Sequence, residues 1–458
     1  MSTSSILNSV LSATSGSNDT TSIDVTSAVD AILYADRAPE RAWQAQQATL
    51  SSQTTEINQL QSESSTLTDA LNDLQDSSGA LGSITATSSN SSIVTASAVA
   101  GTSTGSHTVS VSALATTAGA YTASVATSST QLASGSFDIT VGSGSPVGIN
   151  VGSGDGTDDT LDELASTING KSLGVTASVV TDSSGSRLSI VANTSGSAAG
   201  FTISSDNSEL NFTQPSTGTD ASLTFDSVPI TSASNTVTIN GVTLNLLGTT
   251  SSSNPVSLTL APDSDAIEQA VSTFVSAYNT LITDVNSNFA YNSTTQTAGA
   301  LQSDSTIQSF QSDLLSAADY STGTGTLQTT LTSLGITTNE DGTLSLDTST
   351  LDNAVTNNYS AVQNFFQGTN ADGFVSSIEK TLNIYTDPTQ GSFTVDLSSI
   401  SAENTDLTNQ TTTLEAYLST QQTALTTEYN NADIALSQLP QEIKQIDALL
   451  NPSSSSNS

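Results

Sequence analysis

WQAQQATLSSQTTEINQLQSESSTLTDALNDLQDSSGAL, residues 43–81, decides the fold. Its apolar side chains form two rows of heptad spacing. Trp43, Leu50, Ile57 and Leu71 lie on one, and Leu60, Leu67, Leu74 and Leu81 on the other. Paired rows of this kind are the a/d seam of a long helix that packs against other helices. Gln46, Gln53, Ser64 and Ser78 occupy the remaining seam positions, which lowers stability and restricts partner and register. A second seam stands near the other end, where Ile400, Leu407 and Leu414 step by heptads and Leu418, Leu425, Ala432 and Leu439 form the companion row. Seams at opposite ends of one chain pair with each other or with copies of themselves. An intramolecular helical hairpin and an assembly surface are therefore both open, and they are compatible.

The middle of the chain changes period. SIVTASAVAG, from residue 92, and GSHTVSVSAL, from 105, alternate with β-branched content between Gly/Ser turns. Short strands are expected at 137–141, 174–180, 187–192 and 201–204, with one helix, Thr160 to Gly170, carrying Leu161, Leu164 and Ile168 on one face. A second β-run covers 222–260, where Asn240-Gly241 between alternating segments predicts a type I′ hairpin. Helix returns at 263, with Asp265 and Glu268 at capping-box spacing. Residues 286–300 read as a loop, Leu301–Ala318 and Leu327–Leu334 as helices, and 342–366 as a short strand followed by helix.

The fold class that follows is α+β: a discontinuous helical, coiled-coil leg drawn from both termini, with antiparallel β-rich head domains inserted. Residues 1–20 and 451–458 are polar and aperiodic and are expected to be disordered. Terminal helices are expected at 21–42 and 426–450, the helical leg at 43–82 and 263–425, an inner β-domain at 83–118 and 222–262, and a distal β-domain at 119–221. The first helix should begin near Asp24 with Val25, Val29, Ile32 and Leu33 on one face. Pro39 should interrupt it, and Trp43 should open the long helix.

Six Lys and Arg against 43 Asp and Glu give a net charge of -37 in 458 residues. Nucleic acid is excluded as a partner, because phosphate neutralisation needs a basic patch, and an anionic membrane surface is excluded on the same ground. No apolar run is long enough to span a bilayer. The opening residues lack the basic and apolar regions of a cleaved secretory signal. The expectation is a protein that stays in the cytosol or leaves by a route that reads no cleavable signal. Zero cysteines and a Ser/Thr-rich surface of one charge sign suit export in an unfolded state.

No catalytic, cofactor or metal site emerges. His107 is the sole histidine and reads as a solvated strand-edge residue. Asp155, Asp158, Asp159 and Asp162 lack the calcium-loop pattern and suit the N-terminus of the helix at Thr160. The glycines at 142–144 and 152–154 lack the lysine and helix of a phosphate loop. The one unusual cluster is Trp43 with Arg37 and Arg41, read equally as a contact point and as a hinge packed within one subunit. The candidate assembly interface is Val25, Val29, Ile32, Leu33, Trp43, Leu414, Leu418, Leu425 and Leu439.

Seven stretches in order resemble the flagellar hook-associated protein 2, or filament cap, family. They are IDVTSAVDAILYADRAP (23–39), GSHTVSVSALAT (105–116), INVGSGDGTDDTLDELASTINGKSLGVTASVV (149–180), SNTVTINGVTLNL (234–246), FVSAYNTLITDVN (274–286), GALQSDS (299–305) and LTSLGITTNEDGTLSLDTSTL (331–351). The third looks like the small repeat of flagellins and hook-associated proteins. The resemblance implies a protein exported unfolded through the flagellar channel and located outside the cell at the distal tip of the filament. It implies a ring-forming homo-oligomer whose helical legs meet the filament and guide flagellin to fold and insert. Partners implied with it are flagellin, the hook–filament junction proteins, the flagellar export apparatus and an export chaperone. The alternative reading is a secreted adhesin that holds host or surface glycans through the distal β-domain. An extracellular hydrolase trails both.

Overall fold

The computed structural model describes residues 24–251, 254–292, 297–323, 328–369 and 372–450. Residues 1–20 and 451–458, expected to be disordered, lie outside the described residues.

Helix α1 (Val25–Asp36) starts where Asp24 Oδ1 accepts the Ser27 N–H at 3.0 Å, an N-cap that satisfies one of the free donors of the first turn. Arg37 breaks the chain direction, and α2 (Ala38–Gln75) follows. The long helix thus opens at Ala38, five residues before the expected Trp43. Pro39 sits in its first turn, where a missing N–H costs nothing.

Two β-cores come next. The first contains β1 (Ile84–Ser88), β2 (Val94–Ala98), β3 (Gly105–Ala113) and, after an excursion, β11 (Ala221–Phe225), β12 (Val228–Ser232), β13 (Thr236–Ile239), β14 (Val242–Leu246) and β15 (Val256–Pro262). They form a five-stranded sheet in the order β1-β15-β3-β11-β12 and a three-stranded sheet β13-β14-β2. Alternate residues, among them Val109, Val111, Leu223, Leu244 and Leu258, point into a shared core. Asn240 and Gly241 at φ 48° and 85° make the β13–β14 turn, the doubly positive geometry that a type I′ hairpin needs.

The excursion has its own core. β10 (Thr213–Thr219), β4 (Thr116–Tyr121), β8 (Gly185–Ala192) and β7 (Val175–Asp182) form one sheet, and β6 (Val147–Val151), β5 (Gly135–Val141) and β9 (Phe201–Ser204) another. Helix α3 (Leu161–Gly170) packs Leu161, Leu164 and Ile168 against Phe137, Ile149 and Ile190. It begins with a complete capping box in which Thr160 and Glu163 satisfy each other's backbone N–H.

The leg is completed by α4 (Ser264–Phe289), α5 (Ser305–Ala318), α6 (Thr348–Gln367), α7 (Phe374–Thr386) and α8 (Ser392–Leu450). Five expectations change here. The cap of α4 is Asp263, which accepts from the Ala266 N–H, rather than Asp265. The helix also runs through 286–289, because Val285 and Asn288 are still buried on its inner face. Helix α5 starts at Ser305 rather than Leu301, capped by Asp304. The expected helix at 327–334 is a short strand, Thr329–Thr330, followed by a single 3-10 turn, Thr332–Leu334, ended by Gly335 at φ 84°; Leu327 lies outside the described residues. Asn358 interrupts the helical angles of α6. Helix α8 is unbroken for 59 residues, passing the expected boundary at 425 and accommodating Pro440 near its end.

The leg core joins Ile57, Leu60, Leu67, Leu71, Leu74 and Leu81 to α4, α5, α6, α7 and the first turn of α8. Most of the N-terminal seam is therefore used within the chain, against α4 above all. Aromatic rings fill the middle. Phe365 stacks on Phe374 at 5.3 Å between ring centroids, and Phe374 meets Phe274 edge-on at 5.5 Å. Tyr278 is fully buried beside them, and its hydroxyl has no hydrogen-bond partner among the described residues. Burial also pushes its phenol well above the usual range. An enclosed, unpaired hydroxyl costs desolvation and returns nothing, so Tyr278→Phe should leave stability unchanged or raise it by about 1 kcal/mol. Denaturation midpoints measure this, and a loss of similar size would reveal a hidden polar partner.

Candidate assembly surface on the helical leg

The expected interface residues fall into two groups. Val29, Leu33 and Leu418 are buried together, with Val25, Leu414, Leu425 and Tyr429 packed around them, so α1 lies along α8. This contact exists within one chain. Ile32 is half-buried outside that cluster, Trp43 is partly exposed, and Leu439 is exposed.

Charge fixes the register of the terminal helices. Arg37, in the joint between α1 and α2, clasps Glu415 of α8 with both guanidinium nitrogens and reaches Glu40 at 2.8 Å. The hydrogen bond from Arg37 holds the Glu415 carboxyl below its ordinary range, and the same bond raises Arg37. Because the pair is exposed to solvent, it selects geometry more than it adds stability. Arg41 stacks over the Tyr34 ring at 4.4 Å and donates to the Tyr34 carbonyl at 3.0 Å. Both arginines of the cluster therefore bind within the chain.

Beyond this joint the α2–α8 seam mixes polar contacts with apolar residues, among them the buried Leu50 and Leu407. Gln46 donates to Glu403, and Gln47 donates to Thr408 at 3.1 Å. A groove of about 510 Å³ lies between the helices, lined by Leu50, Thr54, Leu397, Ile400 and Asn404. Towards its C-terminus α8 changes character. Leu439, Ile443, Ile446 and Leu450 are all exposed, and their 4-3-4 spacing puts them on one face. Sequence reading followed the seam only to Leu439, although the same heptad spacing continues through these isoleucines.

The other candidates have structural roles. His107 sits on β3, in the middle of the five-stranded sheet rather than at an edge. Its Nδ1 is 2.7 Å from Asp226 Oδ2, and its ring stacks on Phe225 at 4.9 Å. That hydrogen bond, with the Thr108 N–H, lowers the Asp226 carboxyl. Asp162 lies in the first turn of α3, as expected, whereas Asp155, Asp158 and Asp159 tighten the loop before it. Asp158 accepts the Ser153 N–H, Asp159 those of Gly154 and Gly156, and Asp155 that of Thr157. Among the described residues no group of three or more His, Cys, Asp or Glu is arranged to hold a metal, and no helix is long and apolar enough to cross a membrane.

This split of helical ends and β-middle has a counterpart in known families. The family model for the flagellar hook-associated protein 2 N-terminus matches residues 21–118, and that for its C-terminus matches residues 218–441. The chain belongs to the flagellar hook-associated protein 2 family. Between the two halves, residues 136–194 match the flagellin hook IN motif, which spans β5 to β8 with α3. A B-type flagellar hook-associated protein 2 from Pseudomonas aeruginosa is 28% identical over 66% of this chain and 69% of its own length. A flagellar hook-associated protein 2 from Helicobacter pylori is 31% identical over 33% of this chain, an alignment that spans 22% of that protein. The crystal structure of the D1-D2-D3 domains of the flagellar cap protein FliD from Escherichia coli superposes with a TM-score of 0.56 at 25% identity. It covers 76% of this chain and 99% of that one. Helical termini around antiparallel β-heads are thus the architecture of the flagellar hook-associated protein 2 family in this chain as well.

Proposed function

We propose that this chain is a flagellar filament cap whose copies form a ring at the tip and promote the folding and insertion of flagellin. One observation carries the reading: both halves of the hook-associated protein 2 family match at the two ends of the chain, and those ends build the leg. The likeness to the Escherichia coli cap protein over 76% of the chain supports it. So does the exposed stripe Leu439, Ile443, Ile446 and Leu450, an apolar helix face with no partner helix described in the chain. In this reading the α1–α8 pair and that stripe face neighbouring subunits and flagellin. The hook–filament junction, the export apparatus and an export chaperone are the remaining partners, and the protein acts outside the cell as a non-enzymatic part of the filament. Nothing in the fold favours glycan adhesion by the distal β-core.

Deletion of the encoding gene tests the proposal. The expected result is hooks without filaments and flagellin monomers in the medium, restored by the wild-type chain. Filaments of normal length in the deletion strain would overturn it.

A further inference from the structure

Glu63 lies on the face of α2 that meets α4, in a core that the assembly surface does not use. It is 7% exposed, and its Oε2 is enclosed without a hydrogen-bond partner among the described residues. Gln59 donates to Oε1 at 2.6 Å. The groups facing it are acidic: Asp284 of α4 lies against the same carboxyl, and Glu56 stands two turns back on α2. Glu56 is itself held by Asn288 of α4 at 3.3 Å. On another flank of α2, α7 presents Glu379 and Lys380 around Thr68, and neither is among the charges that act on Glu63. The groove beside it, about 430 Å³, is otherwise lined by neutral residues such as Thr66, Gln269, Ser272, Ser276 and Thr280.

A buried carboxylate facing a second carboxylate with no cation beside it is unfavourable on two counts, desolvation and repulsion. Two occupants would relieve it, a cation or a proton. Oε2 has no exposed surface, so a cation would have to part the helices to reach it. A proton needs no room, gives Oε2 a hydrogen to donate, and removes the repulsion.

We propose that Glu63 is a proton-operated latch between α2 and α4: protonated, it keeps the two helices of the leg docked, and ionised, it loosens them. Burial first, and then Asp284, push the Glu63 carboxyl up to about 7 from an ordinary 4.5. The sign follows from proton binding. Between those two values the unfolded chain has released the proton while the docked leg keeps it, so docking weakens as pH rises through that interval and is flat above it. The latch is independent of the capping reading, since it concerns the stability of the leg itself.

Hydrogen exchange on the full-length protein, corrected for intrinsic rates, tests the latch at pH 5 and pH 8. Protection at 57–71 and 271–285 should fall roughly 100-fold across that range, while β3 and β8 keep theirs. Glu63→Gln should keep high protection at both values. Asp284→Asn provides a second route if Glu63→Gln misfolds, and should reduce the pH effect several-fold. An unchanged pH effect in the folded variant, or a wild-type leg indifferent to pH, overturns the proposal.

Discussion

Leu418→Asp combined with Leu425→Asp is expected to release α1 from α8 while both β-cores and the leg core stay folded. Leu418 is 1% exposed against Val29 and Leu33, and Leu425 lies at the edge of the same cluster. An unpaired carboxylate held there would cost several kcal/mol, on the order of 4. The chain has a cheaper escape, because among the described residues α1 is held to α8 by one small cluster around Val29, Leu33 and Leu418 and by the exposed Arg37–Glu415 clasp. Burial of that size stabilises by about 1.5–3 kcal/mol per side chain before ordering entropy is subtracted, so undocking replaces burial of the charge. Exchange protection at 25–36 should fall to that of a free peptide, with the core of α2 unchanged. In cells filament growth should stop. Normal motility with α1 undocked would show that the α1–α8 pair is not an assembly surface.

How much of this was legible in the sequence depended on whether the signal was local. The strand at 201–204, the helix beginning near Thr160 and the Asn240-Gly241 turn are set by residues close together in the chain, and each formed where the sequence indicated. The partner of the N-terminal seam was not local. Nothing in the spacing of Leu60, Leu67 and Leu74 distinguishes a helix of the same chain from one of a neighbour, and the choice of α4 appears only once the inserted β-strands bring it back. His107 was placed at an edge because strand order is a tertiary property: β3 pairs with β11 and β15, both more than a hundred residues away. Glu63 was invisible for a related reason. On α2 it looks like any polar residue beside a seam, and only Asp284, over two hundred residues later, makes its burial consequential.

Phe374→Ala should destabilise the leg selectively. Phe374 has no exposed surface and touches Phe274, Tyr320, Phe365 and Phe366, so its removal opens a hole at the meeting point of α4, α6 and α7. Buried Phe→Ala changes cost about 3–5 kcal/mol, the upper part applying where rigid neighbours do not collapse into the space. The four aromatic rings around it leave little room for collapse, so about 4 kcal/mol is expected. The two β-cores share no buried residue with the leg core, and contacts absent from a core do not transmit the loss of one. Calorimetry should therefore show one transition moved down by several degrees and the β transitions unmoved. A uniform shift of every transition would mean that leg and heads unfold as one cooperative unit. The discontinuous leg, closed only when residues 263–450 return to residues 38–82, would then govern the folding of everything inserted between them.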